Sequence, residues 1–237
     1  MTLPLLLLPG MVCDRAAWAH QMSALRNVCA PQVVDYGARD SIEAMAEDAL
    51  AAAPAVFAIA GHSMGGRVAQ QIMARAPERV AKLALLGSDF RGHADAAARE
   101  TEAARHAARE EQARREGMSA FAEVWARQNV SPTRQGDAAL IGDIIAMTAR
   151  HTLAQLEAHQ RAGFNRPDFT ALLPRIACPT LIVAGADDAM RTVETHREMA
   201  ARIPGAQLVV LEKCGHMIMM EKPQAVNEAM RCWLTAG

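Results

Sequence analysis

Three short stretches of the chain hold side chains that could make and break covalent bonds. Gly61-His62-Ser63-Met64-Gly65-Gly66 follows the apolar run Ala55–Ala60 and precedes a helical pattern. That order reads as strand, sharp glycine-flanked turn and helix, with the serine at the apex, its hydroxyl projecting from the fold beside a helix N-terminus. A serine hydroxyl is a weak nucleophile by itself. It needs a base to take its proton, an acid to orient the base, and N–H donors for a developing oxyanion. A glycine turn with an incidental serine is the bland alternative, and the strand–turn–helix setting weighs against it. A phosphate loop is discounted because no Gly-Lys-Ser/Thr follows.

Of eight histidines, His216 is the candidate base. It follows a late apolar run in Leu211-Glu212-Lys213-Cys214-Gly215-His216, with glycine beside it for a tight bend. His20, His106, His151, His159 and His196 sit in helical patterns and read as surface or packing residues, and His93 lies at the entrance of a helical insertion. His62 adjoins the serine, but neighbours at a sharp turn point apart, so it reads as a packing or hydrogen-bonding residue. For the acid, the run Thr180–Ala184 leads into Gly185-Ala186-Asp187-Asp188, and either aspartate could turn toward His216. Asp89, also at a strand end, is a third candidate. The oxyanion donors are expected to be the backbone N–H of Met64, directly after the serine, and that of Met11, in the glycine-containing loop after the first strand. Asp14 is expected to cap the helix that carries Trp18.

These positions need a scaffold. Strands are expected at Leu3–Leu8, Gln32–Asp35, Val56–Ala60, Lys82–Leu86, Thr180–Ala184 and Gln207–Leu211, alternating with amphipathic helices. One helix is expected to start at Asp40, with Glu43 at capping-box spacing. Such alternation implies an α/β fold with a mostly parallel sheet covered on both faces, and ligands at the carboxyl ends of its strands. From Ser88 to about Phe169 no strand pattern appears. Ala94–Glu116 is rich in Ala, Arg and Glu and lacks large apolar residues, so it is expected to be a solvated, loosely docked helix. The segment as a whole reads as a helical lid inserted between two strands. Residues 1–88 and 169–237 would form the core, and 89–168 the cap.

Composition narrows the function classes. The chain has 237 residues, 51% of them hydrophobic, which suits one substantial domain. A net charge of −1 and only 4% aromatic residues argue against a nucleic-acid partner. The apolar N-terminus is short, broken by Pro4, Pro9 and Gly10, and lacks a preceding Lys or Arg, so it reads as a buried strand rather than a signal peptide or membrane span. Five cysteines without metal-ligand spacing suggest free thiols in a reducing cytoplasm. Neither a metal nor a cofactor is expected.

The motifs together resemble the α/β-hydrolase family, along essentially the whole chain. Residues 61–66 look like its nucleophile elbow, and Ala74–Val80 like the segment after the elbow helix. Cys178–Asp188 resembles the acid-bearing strand and turn, in which the acid lies three residues after the glycine; this selects Asp188. Gly215-His216 with Glu221-Lys222-Pro223 looks like the histidine loop and final helix. Two departures stand out. The oxyanion loop reads Leu-Pro-Gly where many members have His-Gly, and the chain begins at what resembles the third family strand, so a sheet of about six strands is expected.

The resemblance implies a serine hydrolase that cleaves carboxylic esters through an acyl-Ser63 intermediate, and an Ala-rich lid without large apolar residues, unlike one that docks on lipid, favours small to medium soluble acyl substrates. The same triad also serves C–C bond hydrolysis or cofactor-independent elimination, and a small-molecule binding protein on this scaffold is the non-enzymatic alternative. Met11, Met64, Met190 and Met217 would place thioethers near the site. Arg67, Arg91, Arg127 and Arg166 could meet a substrate carboxylate, though solvated or paired guanidinium groups are the commoner outcome.

Overall fold

A computed structural model describes residues 2–236. Six strands form one sheet: β1 (Pro4–Leu8), β2 (Ala30–Val33), β3 (Phe57–His62), β4 (Val80–Leu86), β5 (Thr180–Gly185) and β6 (Gln207–Leu211). Their spatial order is β2-β1-β3-β4-β5-β6, and every neighbouring pair is parallel. Parallel strands need crossovers, and the helices α1 (Ala19–Ala24), α2 (Ile42–Ala52), α3 (Met64–Arg75), α7 (Val193–Arg202) and α9 (Pro223–Thr235) help supply or cover them.

The inner strands are apolar on both faces, yet alternation still sorts them. Leu5, Leu7, Ala58, Ala60, Ala84 and Leu86 pack with Trp18, Leu25, Val226 and Trp233 on one side. Leu6, Leu8, Phe57, Ile59, Leu83 and Leu85 pack with Met45, Val68, Ile72 and Met199 on the other. The small Ala58, Ala60 and Ala84 leave room for the two tryptophans, as close packing requires.

Chain direction across the sheet reverses at β1. The chain steps from β1 to β2 on one side and returns to β3 on the other. The loops after β1 and β3 therefore diverge and leave a crevice at the strands' carboxyl ends. The second strand lies two residues earlier than expected. Pro31, which lacks an N–H, is accommodated because β2 is an edge strand with one free side. Helix α2 begins one residue later than expected, because Ser41, rather than Asp40, accepts the Ala44 N–H and caps it.

Between β4 and β5 the chain forms α4 (Ala96–Gln128), α5 (Ala138–Ala149) and α6 (Leu153–Phe164). Helix α4 bends at Gly117, whose φ of 85° lies outside the helical region. Ala113, Phe121, Trp125 and Leu156 of these helices form a small apolar cluster with Val12 of the loop after β1. Asp95, Asp137 and Thr152 cap the three helices. The short helix α8 (Ile218–Glu221) lies between β6 and α9.

Candidate active site

Ser63 occupies the turn between β3 and α3 with φ 53° and ψ −114°, a conformation strained for an L-residue. The turn closes only because its flanks carry no side chains. A Cβ on Gly61 would overlap the Gly65 carbonyl, one on Gly65 the Leu8 carbonyl, and one on Gly66 the Ser88 hydroxyl. Ser88 Oγ uses the space beside Gly66 to donate to the Ser63 carbonyl at 2.9 Å. Ser63 N–H donates to the Leu86 carbonyl at 2.9 Å, so the strained residue is fastened at both backbone groups, to the end of β4 and to the loop just after it.

The hydroxyl of Ser63 lies 2.9 Å from His216 Nε2, and His216 Nδ1 lies 2.6 Å from Asp188 Oδ2. Asp188 is buried, and its other oxygen accepts the N–H groups of Met190 and Arg191, each at 2.9 Å. Burial pushes the Asp188 carboxyl up, but His216 and the hydrogen bonds from His216, Arg191 and Met190 outweigh it and hold it below the usual aspartate value. An ionised Asp188 places the imidazole proton on Nδ1 and leaves Nε2 to accept from Ser63. Asp187 faces elsewhere, accepting from Ser131 Oγ at 2.5 Å. Asp89 accepts the N–H groups of Phe90 and Arg91 and pairs with arginines. Of the three candidate acids, Asp188 alone is hydrogen-bonded to His216.

The histidine loop is held by three further buried residues. His62 donates Nε2–H to the His216 carbonyl at 2.8 Å. Its pKa is lowered to about 3, first by burial and then by the neighbouring His216, so it stays neutral. Glu221 accepts Gly215 N–H at 3.0 Å and Ser131 N–H at 2.9 Å. Burial raises the Glu221 carboxyl above its ordinary value, against those two hydrogen bonds. Asn129 at the end of α4 accepts the N–H groups of both His216 and Met217 through its carbonyl.

The loop after β1 packs directly on the serine turn: a Cβ on Gly10 would sit 2.9 Å from His62 Nδ1 and 3.3 Å from Ser63 Cβ. Met64 opens α3, so its N–H has no partner within the helix. Met11, Met64 and Met190 line a cavity of about 230 Å³ together with Ser63 and His216. Met217, expected beside them, is instead buried in the main core. Its N–H and that of His216 share one carbonyl, which turns the Met217 side chain inward. Asp14 accepts from Ala16 N–H and caps a single short 3₁₀ turn, Arg15–Trp18.

The alpha/beta hydrolase family model matches residues 5–229. The chain belongs to this family of hydrolases. It is 30% identical to the pimeloyl-[acyl-carrier protein] methyl ester esterase of Neisseria meningitidis over 83% of this chain and 76% of that protein. It is also 30% identical to the 3-oxoadipate enol-lactonase 2 of Acinetobacter baylyi, over 72% of this chain and 60% of that one. The match thus spans less than two thirds of the lactonase's length. Among solved structures, a thermophilic esterase from Thermogutta terrifontis, with malate bound, superposes with a TM-score of 0.85 and 29% identity, covering 99% of this chain and 90% of that one. No helix among the described residues is long and apolar enough to cross a membrane.

The roof of the cavity departs from the sequence expectation. Glu102, His106 and Arg109 line it, and with Ala113 they form one inward stripe of α4 at spacings of four, three and four. Helix α4 is therefore solvated on one side and docked on the other. The reading from apolar periodicity missed this because the docked face is itself polar. His159, expected to be a surface or packing residue, is buried and also lines the cavity. Of the four arginines singled out, Arg67 and Arg166 reach the cavity. Arg91 is bonded to Asp89 and Thr195, and Arg127 to the Gln135 carbonyl. Arg105, Arg109 and Arg191 line the cavity too, unmarked by any local motif.

Proposed function

We propose that this hydrolase is a serine esterase acting on carboxylic esters of small to medium soluble acyl groups. The observation that carries the reading is the unbroken chain of hydrogen bonds Ser63–His216–Asp188 opening onto a cavity. His216 Nε2 takes the Ser63 proton as Oγ bonds to the acyl carbon. Met64 and Met11 N–H groups hold the resulting oxyanion, and the helix terminus at Met64 adds favourable charge. The C–O bond then breaks, and His216 returns the proton to the leaving alkoxide. Water attacks the acyl-serine with His216 again as base, releasing the acid and restoring the hydroxyl. Asp188 holds the imidazole tautomer and stabilises the imidazolium.

Residues 89–168 act in this scheme as a cap that encloses the substrate and excludes water. A cavity of about 230 Å³ lies below the usual range for drug-sized ligands, which favours short acyl chains. The cysteines 13, 29, 178, 214 and 232 are free, in keeping with a cytoplasmic location. Ser63→Ala is expected to lower kcat on short-chain nitrophenyl esters by at least about 10⁴-fold. A purified, folded Ser63→Ala protein with wild-type turnover would sink the assignment.

A further inference from the structure

The cavity is unusually rich in positive charge for a site that hydrolyses neutral esters. Arg67, Arg105, Arg109, Arg166 and Arg191 line it, and Glu102 is the one carboxylate among its described lining residues. Asp89 and Asp188 stand behind the wall. Even with both counted, guanidinium groups outnumber carboxylates.

The carboxylates that are present are already committed. Glu102 takes Arg166 Nη1 at 2.7 Å. Asp188 serves His216 and two backbone N–H groups. Asp89 is shared between Arg91 at 3.3 Å and Arg67 at 3.8 Å, the latter too long for a good hydrogen bond.

Arg67 is the telling member. It lies in the first turn of α3 and, like Ser63, lines the cavity. Only 3% of it is exposed, one amino group donates to the Arg91 carbonyl, and the other, Nη2, is buried with no hydrogen-bond partner. Burial first, and then the like charge of Arg191, lower its pKa to about 9 against the pull of Asp89. Its one carboxylate partner, Asp89 Oδ2, stands 3.8 Å from Nη2, too far for a good hydrogen bond, and the excess positive charge calls for a second anion. Arg191 is placed to share it: its Nη1 donates to the Met190 carbonyl, and its backbone follows the acid of the triad.

We propose that the substrate is an ester whose acyl chain ends in a carboxylate, a half-ester of a short dicarboxylic acid, with that carboxylate seated on Arg67 and Arg191. This rests on the esterase reading above and adds the substrate's charge to it. The bound carboxylate would lie against two cavity-lining arginines and relieve the repulsion between their guanidinium groups. A planar carboxylate also matches their fork geometry. Hydrolysis at the other end converts the monoanion into a dianion.

The test compares monomethyl glutarate with methyl 5-methylhexanoate, which carries an isopropyl group where the first has its carboxylate. Wild-type kcat/KM is expected to favour the anionic ester by at least about tenfold, and Arg191→Gln and Arg67→Gln to reduce that ratio by about tenfold each. A wild-type ratio of one or less overturns the proposal, as does a ratio unchanged in folded variants. Should Arg67→Gln fail to fold, Arg191→Gln decides. Calorimetric titration with glutarate and with glutaramide separates this proposal from the esterase reading. If neither ester is cleaved, the esterase reading falls; glutarate binding at least about tenfold tighter than glutaramide, with that preference lost in Arg191→Gln, still upholds the anion site. Equal affinities, or no binding of either, remove it.

Discussion

The floor and the roof of the cavity are built by opposite means. The floor is backbone: strand ends, a strained serine, and glycines that let Leu8, Gly65 and Ser88 approach where no side chain would fit. The roof is side chain: long polar and charged groups of α4 and α6 that reach inward, such as Glu102, Arg109 and Gln160. Backbone geometry fixes atoms to within tenths of an ångström, as bond-making at Ser63 demands. Long side chains can shift by whole rotamers, which suits selection among ligands. The contrast suggests a division in which the floor carries the reaction and the roof chooses what undergoes it.

The sharpest way to break that division is through the floor. Asp188→Asn should leave the Ser63–His216 distances nearly intact but favour the wrong imidazole tautomer, lowering kcat by about 10⁴-fold. A loss under tenfold would show that Asp188 does not orient His216. Gly65→Ala should cost at least about 3 kcal/mol in denaturant unfolding, because its Cβ meets a strand carbonyl that cannot move away.

A smaller effect crosses both regions. His62 is held neutral with its pKa lowered to about 3, and His106 and His159 with theirs to about 4, in each case chiefly by burial. Unfolded histidine titrates near 6.5. Between that value and about 4 the unfolded chain binds protons that the folded chain refuses. Stability is therefore present above pH 6.5 and falls as the pH drops, by up to about 1.4 kcal/mol per pH unit for each histidine. A melting temperature that stays flat from pH 7 to pH 4.5 would contradict this. At the weak end, Arg114→Ala removes an exposed pair with Glu157 at 2.7 Å on the solvent side of the roof. It should change stability by less than about 0.5 kcal/mol and leave kcat/KM alone.

The same contrast explains what could be read from the residues. The floor was legible because its chemistry is local in sequence: glycines at fixed offsets from Ser63, an aspartate three after Gly185, a histidine beside Gly215. The strands followed from apolar runs, with β2 displaced where Pro31 masked an edge strand. The roof was not legible. Glu102, His106 and Arg109 form a face only once α4 docks, and a polar stripe gives no hydrophobic period to detect. Arg191 lay beside an identified motif, yet nothing in its neighbours says that it turns into the cavity.

His159 joins the two regions. From α6 it accepts the Val12 N–H on Nδ1 at 3.2 Å and donates Nε2–H to the Gly37 carbonyl at 3.0 Å. Val12, with φ 48°, sits next to Met11 in the loop that shapes one edge of the floor. The loop is thus hung from the roof as well as rooted in β1. If the roof lifts to admit a guest, it must either release Val12 or carry it along, and in the second case the neighbouring Met11, which lines the cavity, moves with it. Where Val12 is carried along, opening the mouth also reshapes the floor. A guest bulky enough to wedge the helices apart would then disturb the loop beside Ser63 as well as the roof above it.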